Sequence, residues 1–189
     1  MLSVQSLPCV NTVVLTLVVV QLLAMYWYIP YVTISKDNKN VDEGERCFWA
    51  IFSTVIGVCL MIGADAQKYT QLKYKKGLVS EGFFERTRNP NYLGEIMIYG
   101  GFGIMAGDNI CWGILFLVWT VLFGTGILRK ELSYMKKDGW AAYKQHSLIL
   151  LPRLFANYWL NYLFYITLAF ISRLIYNNGG ISTLLGLNK

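Results

Sequence analysis

Long apolar stretches constrain this chain more than any other feature of its sequence. Three of them reach the roughly 20 mostly apolar residues that a helix needs to cross a bilayer, at residues 10–32, 110–128 and 154–175. Two shorter stretches lie at residues 47–63 and 92–106, and the second of these is also the more polar. Because 55% of the 189 residues are apolar, little sequence remains for a soluble domain. The sequence predicts an all-α polytopic membrane protein with about five transmembrane helices.

The first apolar stretch differs from a signal peptide. No basic residue precedes it, and it continues past the usual length of a signal-peptide core into Tyr26 and Trp27. We therefore expect a permanent first helix with aromatic residues at one membrane interface. Tyr26, Tyr28 and Tyr31 are expected at the end of this helix that lies away from the basic segments of the chain.

Basic residues are concentrated in two segments, residues 64–91 and 129–153, which hold 12 of the 17 lysines and arginines. With five spans, both segments lie on one side of the membrane. Residues 33–46, with three basic and four acidic residues, lie on the other side. Since loops rich in Lys and Arg stay on the cytoplasmic side, we expect the basic segments to face the cytosol or the mitochondrial matrix. The corresponding membranes are the endoplasmic reticulum and the mitochondrial inner membrane.

Cysteine and histidine usage argues against a metal centre. The four cysteines are dispersed and include no Cys-x-x-Cys pair, and His146 is the only histidine. We therefore expect no metal site. We also expect the basic segments to meet a lipid bilayer and no nucleic acid.

The segment before the third apolar stretch joins basic residues to a carboxylate at bilayer depth. Asn89 suits a helix N-cap and Pro90 suits the first helical position, so a helix is predicted to begin here. Tyr92, Glu95 and Tyr99 share one face of that helix. An ionisable residue at this depth by default marks a functional site that faces the protein interior. The basic residues that could receive a phosphorylated cofactor are Lys68, Lys73, Lys75, Lys76, Arg86 and Arg88.

Residues 129–146 predict an amphipathic helix at the membrane surface, interrupted at Gly139. Its apolar and aromatic side chains are Tyr134, Met135, Trp140 and Tyr143. Composition alone favours a basic helix attracted to anionic lipid, and a wall of a cofactor pocket is the alternative.

Three motifs occur together in the C-terminal two-thirds of the chain. They are Asp65-Ala66-Gln67-Lys68 after a membrane helix, Gly82-Phe83-Phe84 followed by Arg88-Asn89-Pro90-Asn91-Tyr92-Leu93-Gly94-Glu95, and Glu131 with Tyr143 before Leu151-Pro152-Arg153-Leu154-Phe155. Together they resemble the C-terminal domain of steroid 5-alpha-reductases. Sterol C14 and C7 reductases and isoprenylcysteine carboxyl methyltransferases share these elements. The middle motif is the most specific of the three.

The resemblance implies an NADPH pocket that opens to the cytosol or matrix, and hydride delivery to an activated double bond of a steroid, sterol or other unsaturated lipid. Glu95 and Tyr92 would be the catalytic groups, with Glu95 protonated in a dry pocket. Arg88 and Arg129 would meet phosphates. The full set of implied cofactor-binding residues is Asp65, Lys68, Arg88, Asn91, Tyr92, Glu95, Arg129, Glu131 and Tyr143. This core would span residues 64–155, between a two-helix membrane region (1–63) and a C-terminal helix and tail (156–189).

Two alternatives remain open. The methyltransferase branch uses S-adenosylmethionine, which carries a sulfonium and no phosphate, and would act on a lipid or a prenylated cysteine. NADPH carries a pyrophosphate and a 2′-phosphate, which favour several Lys or Arg donors. The second alternative is a non-catalytic subunit, without a cofactor, among the other membrane subunits of a large complex such as a respiratory assembly. It is suggested by Asn89 and Phe84, which replace a His and a Trp of the motif, and by the reductases' N-terminal helices, which largely lack a counterpart.

Overall fold

The computed structural model describes residue 16 and residues 19–35 and 42–186, which form a helical bundle. In chain order the helices are α1 (Val19–Ser35), α2 (Glu43–Tyr74), α3 (Pro90–Ala106), α4 (Asn109–Tyr134), α5 (Trp140–His146), α6 (Tyr158–Asn177) and α7 (Gly180–Leu184). Short π-helical stretches lie within α1 (Ala24–Tyr28) and α4 (Trp119–Phe123), and a 3-10 turn (Gly82–Phe84) precedes α3. The prediction of an all-α fold is confirmed.

Three of these helices, α2, α4 and α6, are long and apolar enough to cross a membrane. They contain the predicted stretches 47–63 and 110–128 and most of 154–175. The stretch at 92–106 falls in α3, which has 17 residues. The first stretch corresponds in part to α1, a shorter apolar helix, and its beginning at residue 10 lies outside the described residues. The chain is therefore an integral, polytopic membrane protein.

Capping side chains explain where several helices begin. Asp42 Oδ2 accepts the N–H of Glu45 at 3.1 Å at the start of α2. Asp108 Oδ1 accepts the N–H of Ile110 at 2.7 Å at the start of α4. Asn157 caps α6 through the N–H of Trp159 at 2.9 Å, so residues 154–157 precede the helix. Helix α2 continues without interruption across the predicted boundary between residues 63 and 64.

Glycines bring α2 and α3 into close, antiparallel contact. A Cβ on Gly57 would lie 2.6 Å from the carbonyl oxygen of Gly94, and a Cβ on Gly94 would lie equally close to that of Gly57. Further along, a Cβ on Gly101 would lie 2.8 Å from the carbonyl oxygen of Ala50. Small residues at such positions let helix backbones pack directly in a membrane, where dispersion replaces the hydrophobic effect between helices. This pair positions the start of α3, where the motif lies.

The largest buried cluster joins α1 to the end of α3 and the first half of α4. Its members are Met25, Ile29, Val32, Ala106, Cys111, Leu115 and Val118. Helix α2 ends and α3, with the motif, begins at the same end of the bundle, which we call the motif end. We call the opposite end of the bundle the far end. The cluster extends to the far end, where the left-handed Gly107 (φ 58°) turns the chain from α3 into α4.

Helix α6 is attached to the rest of the molecule mainly through its two ends. At the motif end, the buried Asn161 accepts the N–H groups of Leu154 and Phe155 at 2.8 and 2.9 Å. At the far end, the hydroxyl of Tyr176 donates to the carbonyl of Gly107 at 3.3 Å. Between these anchors, 6% of the residues in its most apolar window are buried. Most of α6 therefore faces the surroundings of the bundle.

Candidate functional site

The motif before α3 is joined to the segment after α5 by backbone hydrogen bonds. The carbonyl of Arg86 accepts the N–H groups of Leu148 at 3.2 Å and Arg153 at 2.9 Å. The N–H of Arg88 donates to the carbonyl of Leu148 at 2.9 Å. We call residues 84–89 and 143–153 together the clamp. It holds the start of α3 against the C-terminal part of the chain.

Side chains of the motif complete the clamp. Thr87 Oγ1 donates to the carbonyl of Leu150 at 2.7 Å, and Asn89 Nδ2 donates to the carbonyl of Ile149 at 2.9 Å. Asn89 therefore occupies the predicted N-cap position of α3 without capping the helix through its side chain. It is fully buried, and its Oδ1 has no hydrogen-bond partner among the described residues.

Arg88 is the central charge of the clamp, and it is almost completely buried, with 2% of its surface exposed. Its Nε lies 2.9 Å from Oε1 of Glu131, and its Nη1 donates to the carbonyl of Ser147 at 2.8 Å. The guanidinium also lies 5.3 Å from the ring centroid of Trp140. A buried guanidinium needs such partners, because an unpaired buried charge is costly. The geometry therefore makes Arg88 and Glu131 positioning residues that link α3 to α4.

Tyr143 is the second predicted site residue in the clamp. Its hydroxyl donates to the carbonyl of Phe84 at 2.7 Å, and 6% of the residue is exposed. Burial raises the pKa of Tyr143 above its ordinary value, which keeps the hydroxyl protonated as a donor. Its ring packs edge-on against Trp140. Tyr143 thus fixes the turn that leads into the motif.

A second group of polar side chains lies on α3 and α4 beside the clamp. Lys130 Nζ lies 3.9 Å from the ring centroid of Tyr92 and 3.4 Å from Oδ1 of Asn91. The Tyr92 ring stacks on Phe123 at a centroid distance of 5.2 Å. Lys130 is half-buried, whereas its predicted neighbour Arg129 is exposed. Lys130 is therefore the site residue that the sequence interpretation missed, since the resemblance pointed to Arg129 instead.

Acidic and basic side chains of α2 and α3 surround Lys130. The charge of Glu95 interacts with those of Asp65 and Lys130, and the charge of Lys130 interacts with that of Lys68. Asp65 is exposed, while Lys68 and Glu95 are half-buried. We call Asp65, Lys68, Tyr92, Glu95 and Lys130 the polar cluster. It combines a carboxyl, a phenol and an ammonium in one place, the groups that general acid–base chemistry requires.

A pair of tyrosines extends the polar cluster toward α1. The hydroxyls of Tyr26 and Tyr99 lie 2.8 Å apart, and their rings meet edge-on at 6.2 Å. Tyr99 interacts electrostatically with Glu95, one turn earlier on α3. The sequence predicted Tyr26 at the end of the first helix away from the basic segments, whereas in the structure its hydroxyl meets Tyr99 on α3. Tyr31 is exposed on the same helix.

Residues of the clamp line a cleft of about 650 Å³. Its lining includes Glu85, Arg86, Tyr143, His146, Arg153 and Phe155. Arg86 is exposed, and Arg153 donates from Nε to the carbonyl of Phe155 at 3.1 Å. Arg153 also donates from Nη2 to the carbonyl of Ala156, so the exposed guanidinium of Arg86 and the imidazole of His146 are the donors that suit phosphate oxygens, beside the carboxylate of Glu85. The volume falls within the roughly 300–1,000 Å³ of ordinary ligand pockets. The residues present therefore fit the phosphate-bearing part of a nucleotide cofactor.

One family model matches most of the chain. A family described as a protein of unknown function (DUF1295) matches residues 4–147, which include the polar cluster and most of the clamp. No curated protein and no solved structure matches the chain. The chain belongs to the DUF1295 family, which is associated with steroid 5-alpha-reductase-like proteins.

Proposed function

We propose that this protein is a membrane-embedded, NADPH-dependent reductase of a steroid, sterol or other unsaturated lipid. The observation that carries the proposal is the convergence of Tyr92, Glu95 and Lys130 beside a clamp whose residues also line a basic cleft. The reaction needs a proton donor near a lipid double bond, and the cofactor needs phosphate donors a short distance away. Both are present at the motif end of one bundle.

The cofactor would be held by two groups of residues. Arg86 and His146 in the cleft would meet the phosphates, since each carries donors for anionic oxygens, and Arg153, which donates to the carbonyls of Phe155 and Ala156, would border them. Asn91 and Tyr92 would border the nicotinamide end. The polar groups of Arg88, Glu131 and Tyr143 bind the protein itself. These residues would therefore hold the clamp closed and keep the two groups of cofactor-binding residues in their relative positions.

When bound, NADPH supplies a hydride for the β carbon of a double bond conjugated to a carbonyl. The polar cluster would do the rest. The ammonium of Lys130 or the hydroxyl of Tyr92 would hydrogen-bond to the carbonyl oxygen, and the protonated carboxyl of Glu95 would give its proton to the α carbon. The carboxylate of Asp65 would attract the ammonium of Lys130. Apolar walls on α1 and α4 would face the lipid.

Charge distribution sets the proposed orientation. The 12 basic residues of segments 64–91 and 129–153 lie at or near the motif end. The positive-inside rule then directs the cleft toward the cytosol or the mitochondrial matrix, where NADPH is dissolved. The membrane would be that of the endoplasmic reticulum or the inner mitochondrial membrane.

A non-catalytic role in a membrane complex has one observation in its favour. The surface of α6 presents Trp159, Ile166 and Phe170, which are 81%, 66% and 62% exposed. Such a helix suits contact with another membrane subunit as well as contact with lipid. Measuring cofactor binding tests this role as well as the reductase activity, since a scaffold needs no cofactor.

Calorimetric titration of the detergent-purified protein with NADPH and with S-adenosylmethionine tests the proposal. Of the two cofactors, we expect only NADPH to bind. Arg86→Ala should weaken the binding of NADPH by roughly tenfold, because it removes one charge-assisted contact. Arg173→Ala is the matched control, because this exposed arginine lies at the far end of α6 and should leave binding unchanged. Selective binding of S-adenosylmethionine would transfer the protein to the methyltransferases. Binding of neither cofactor would favour the scaffold.

A further inference from the structure

A second cavity, of about 330 Å³, lies at the far end of the bundle, opposite the polar cluster. Trp49 of α2, Ile104 of α3 and Ile175 of α6 contribute apolar walls, and Arg46 and Ser172 contribute polar atoms. The cavity lies beside α6 at the end of the α2–α3 pair. Its existence follows from the way α6 is attached, because that helix is anchored at its ends and packs little along its length.

The acidic side chain at this cavity, that of Glu45, already has hydrogen-bond partners. Glu45 accepts the N–H groups of Ile181 and Ser182 at 2.7 and 2.9 Å, and the hydroxyl of Ser182 at 2.6 Å. These bonds fix α7 across the far end and satisfy the carboxylate. Glu45 therefore closes one side of the cavity and does not form an ion pair with Arg46, which lies next to it in sequence.

The basic side chain is only partly satisfied. Arg46 Nη1 donates to the carbonyl of Met105 at 3.2 Å. Its Nε is buried and has no hydrogen-bond partner among the residues that the structure describes. Within the same residues, no carboxylate forms an ion pair with Arg46. A half-buried guanidinium that has no counter-ion among the described residues, and that lies beside apolar walls, complements a molecule with an anionic head and an apolar body.

We propose that this cavity binds one anionic phospholipid, with its phosphate at Arg46 and an acyl chain along Trp49, Ile104 and Ile175. The lipid would fill the space between α6 and the α2–α3 pair and supply the packing that α6 lacks. The proposal is independent of the reductase activity, because the cavity and the polar cluster lie at opposite ends of the bundle.

Native mass spectrometry of the protein, released from nanodiscs of equal phosphatidylglycerol and phosphatidylcholine, tests this inference. We expect one retained phosphatidylglycerol per chain, favoured over phosphatidylcholine by roughly tenfold, which corresponds to about 1.4 kcal/mol. Arg46→Gln should abolish the preference, and Arg46→Lys should keep most of it because the charge remains. Ile175→Trp should displace both lipids by filling the apolar part of the cavity.

Arg173→Gln is the matched control, since it removes an exposed charge from the same end of α6. It should leave lipid retention unchanged. Circular dichroism and gel filtration would confirm that each variant is folded. Equal retention of the two lipids by the wild type, or an unchanged preference in Arg46→Gln, would overturn the proposal. A bound free phosphate without lipid would overturn it as well.

Discussion

Arg88 shows how one residue can connect the fold to the site. Its guanidinium is buried and shared between Glu131, the carbonyl of Ser147 and the face of Trp140. These contacts join the start of α3 to the end of α4 and to the segment after α5. A ligand that needed Arg88 directly would have to break this arrangement, so we assign Arg88 to the support of the site.

Arg88→Ala should lower the free energy of unfolding by about 3 kcal/mol, the lower end of the cost of breaking a buried pair, because it leaves the half-buried Glu131 carboxylate without its partner. Arg86→Ala is the matched control, because loss of this exposed side chain should change the free energy of unfolding by no more than about 0.5 kcal/mol. Denaturation of both variants in detergent micelles measures the difference. Equal stability of the two variants would show that the ion pair does not hold the clamp.

The Tyr26–Tyr99 hydrogen bond gives a second prediction at this scale. Tyr26→Phe removes the hydroxyl that lies 2.8 Å from that of Tyr99 and should destabilise the protein by about 0.5–1.5 kcal/mol. Tyr31→Phe is the control, because Tyr31 is 66% exposed on the same helix. Thermal unfolding compares them. If both substitutions had the same small effect, α1 would not be attached to α3 through this pair.

At the scale of elements, the α2–α3 pair determines where the polar cluster lies. Gly57 and Gly94 face each other so closely that neither position has room for a Cβ. Gly94 lies next to Glu95, so any separation of the two helices would move Glu95 away from Asp65 on α2. Close helix packing and the geometry of the cluster therefore depend on the same residues.

Gly94→Ala should cost about 1–3 kcal/mol, since the new methyl group would overlap the backbone of α2. Gly100→Ala is a control in the same helix, because a Cβ there would meet nothing within 4 Å. In an exposed or open position, alanine favours a helix over glycine. Stability measured in micelles should therefore fall for the first variant and hold or rise for the second. The reverse order would contradict the close contact.

The helices were largely predictable from sequence, whereas the contacts between them were not. Apolar stretches revealed the membrane helices, and Pro90 correctly marked the start of α3. Nothing in the sequence showed that Lys130 rather than Arg129 faces Tyr92, since that depends on the rotation of α4. The motif also could not show whether Arg88 binds a phosphate or a carboxylate, because both use the same donors. Tertiary geometry decided these points.

At the scale of the whole molecule, the bundle has two chemically different ends. The motif end carries the clamp, the polar cluster and the basic cleft. The far end carries Glu45, Arg46 and the short helix α7. The three long apolar helices cross between them, so each end should meet a different aqueous compartment.

Labelling of single cysteines tests this orientation. In a variant whose four native cysteines are replaced by serine, Lys136→Cys should react with a membrane-impermeant maleimide only from the cytosolic or matrix side. Asn178→Cys, exposed at the far end, should react only from the opposite side. Reaction of both cysteines from the same side would contradict a bundle that crosses the membrane. If Lys136→Cys reacted only from the opposite side and Asn178→Cys only from the cytosolic or matrix side, the proposed orientation of the cleft would be reversed.

The most direct test of the reductase is transfer of deuterium to lipid. Wild-type protein in membranes would be incubated with NADPH deuterated at the transferable position, and the extracted lipids analysed by mass spectrometry. We predict one deuterium at the β carbon of the former double bond in a steroid, sterol or other unsaturated lipid, and none with Glu95→Gln or without protein. Folded protein that transfers no deuterium to any lipid, although Glu95 and Lys130 are intact, would contradict the proposed function.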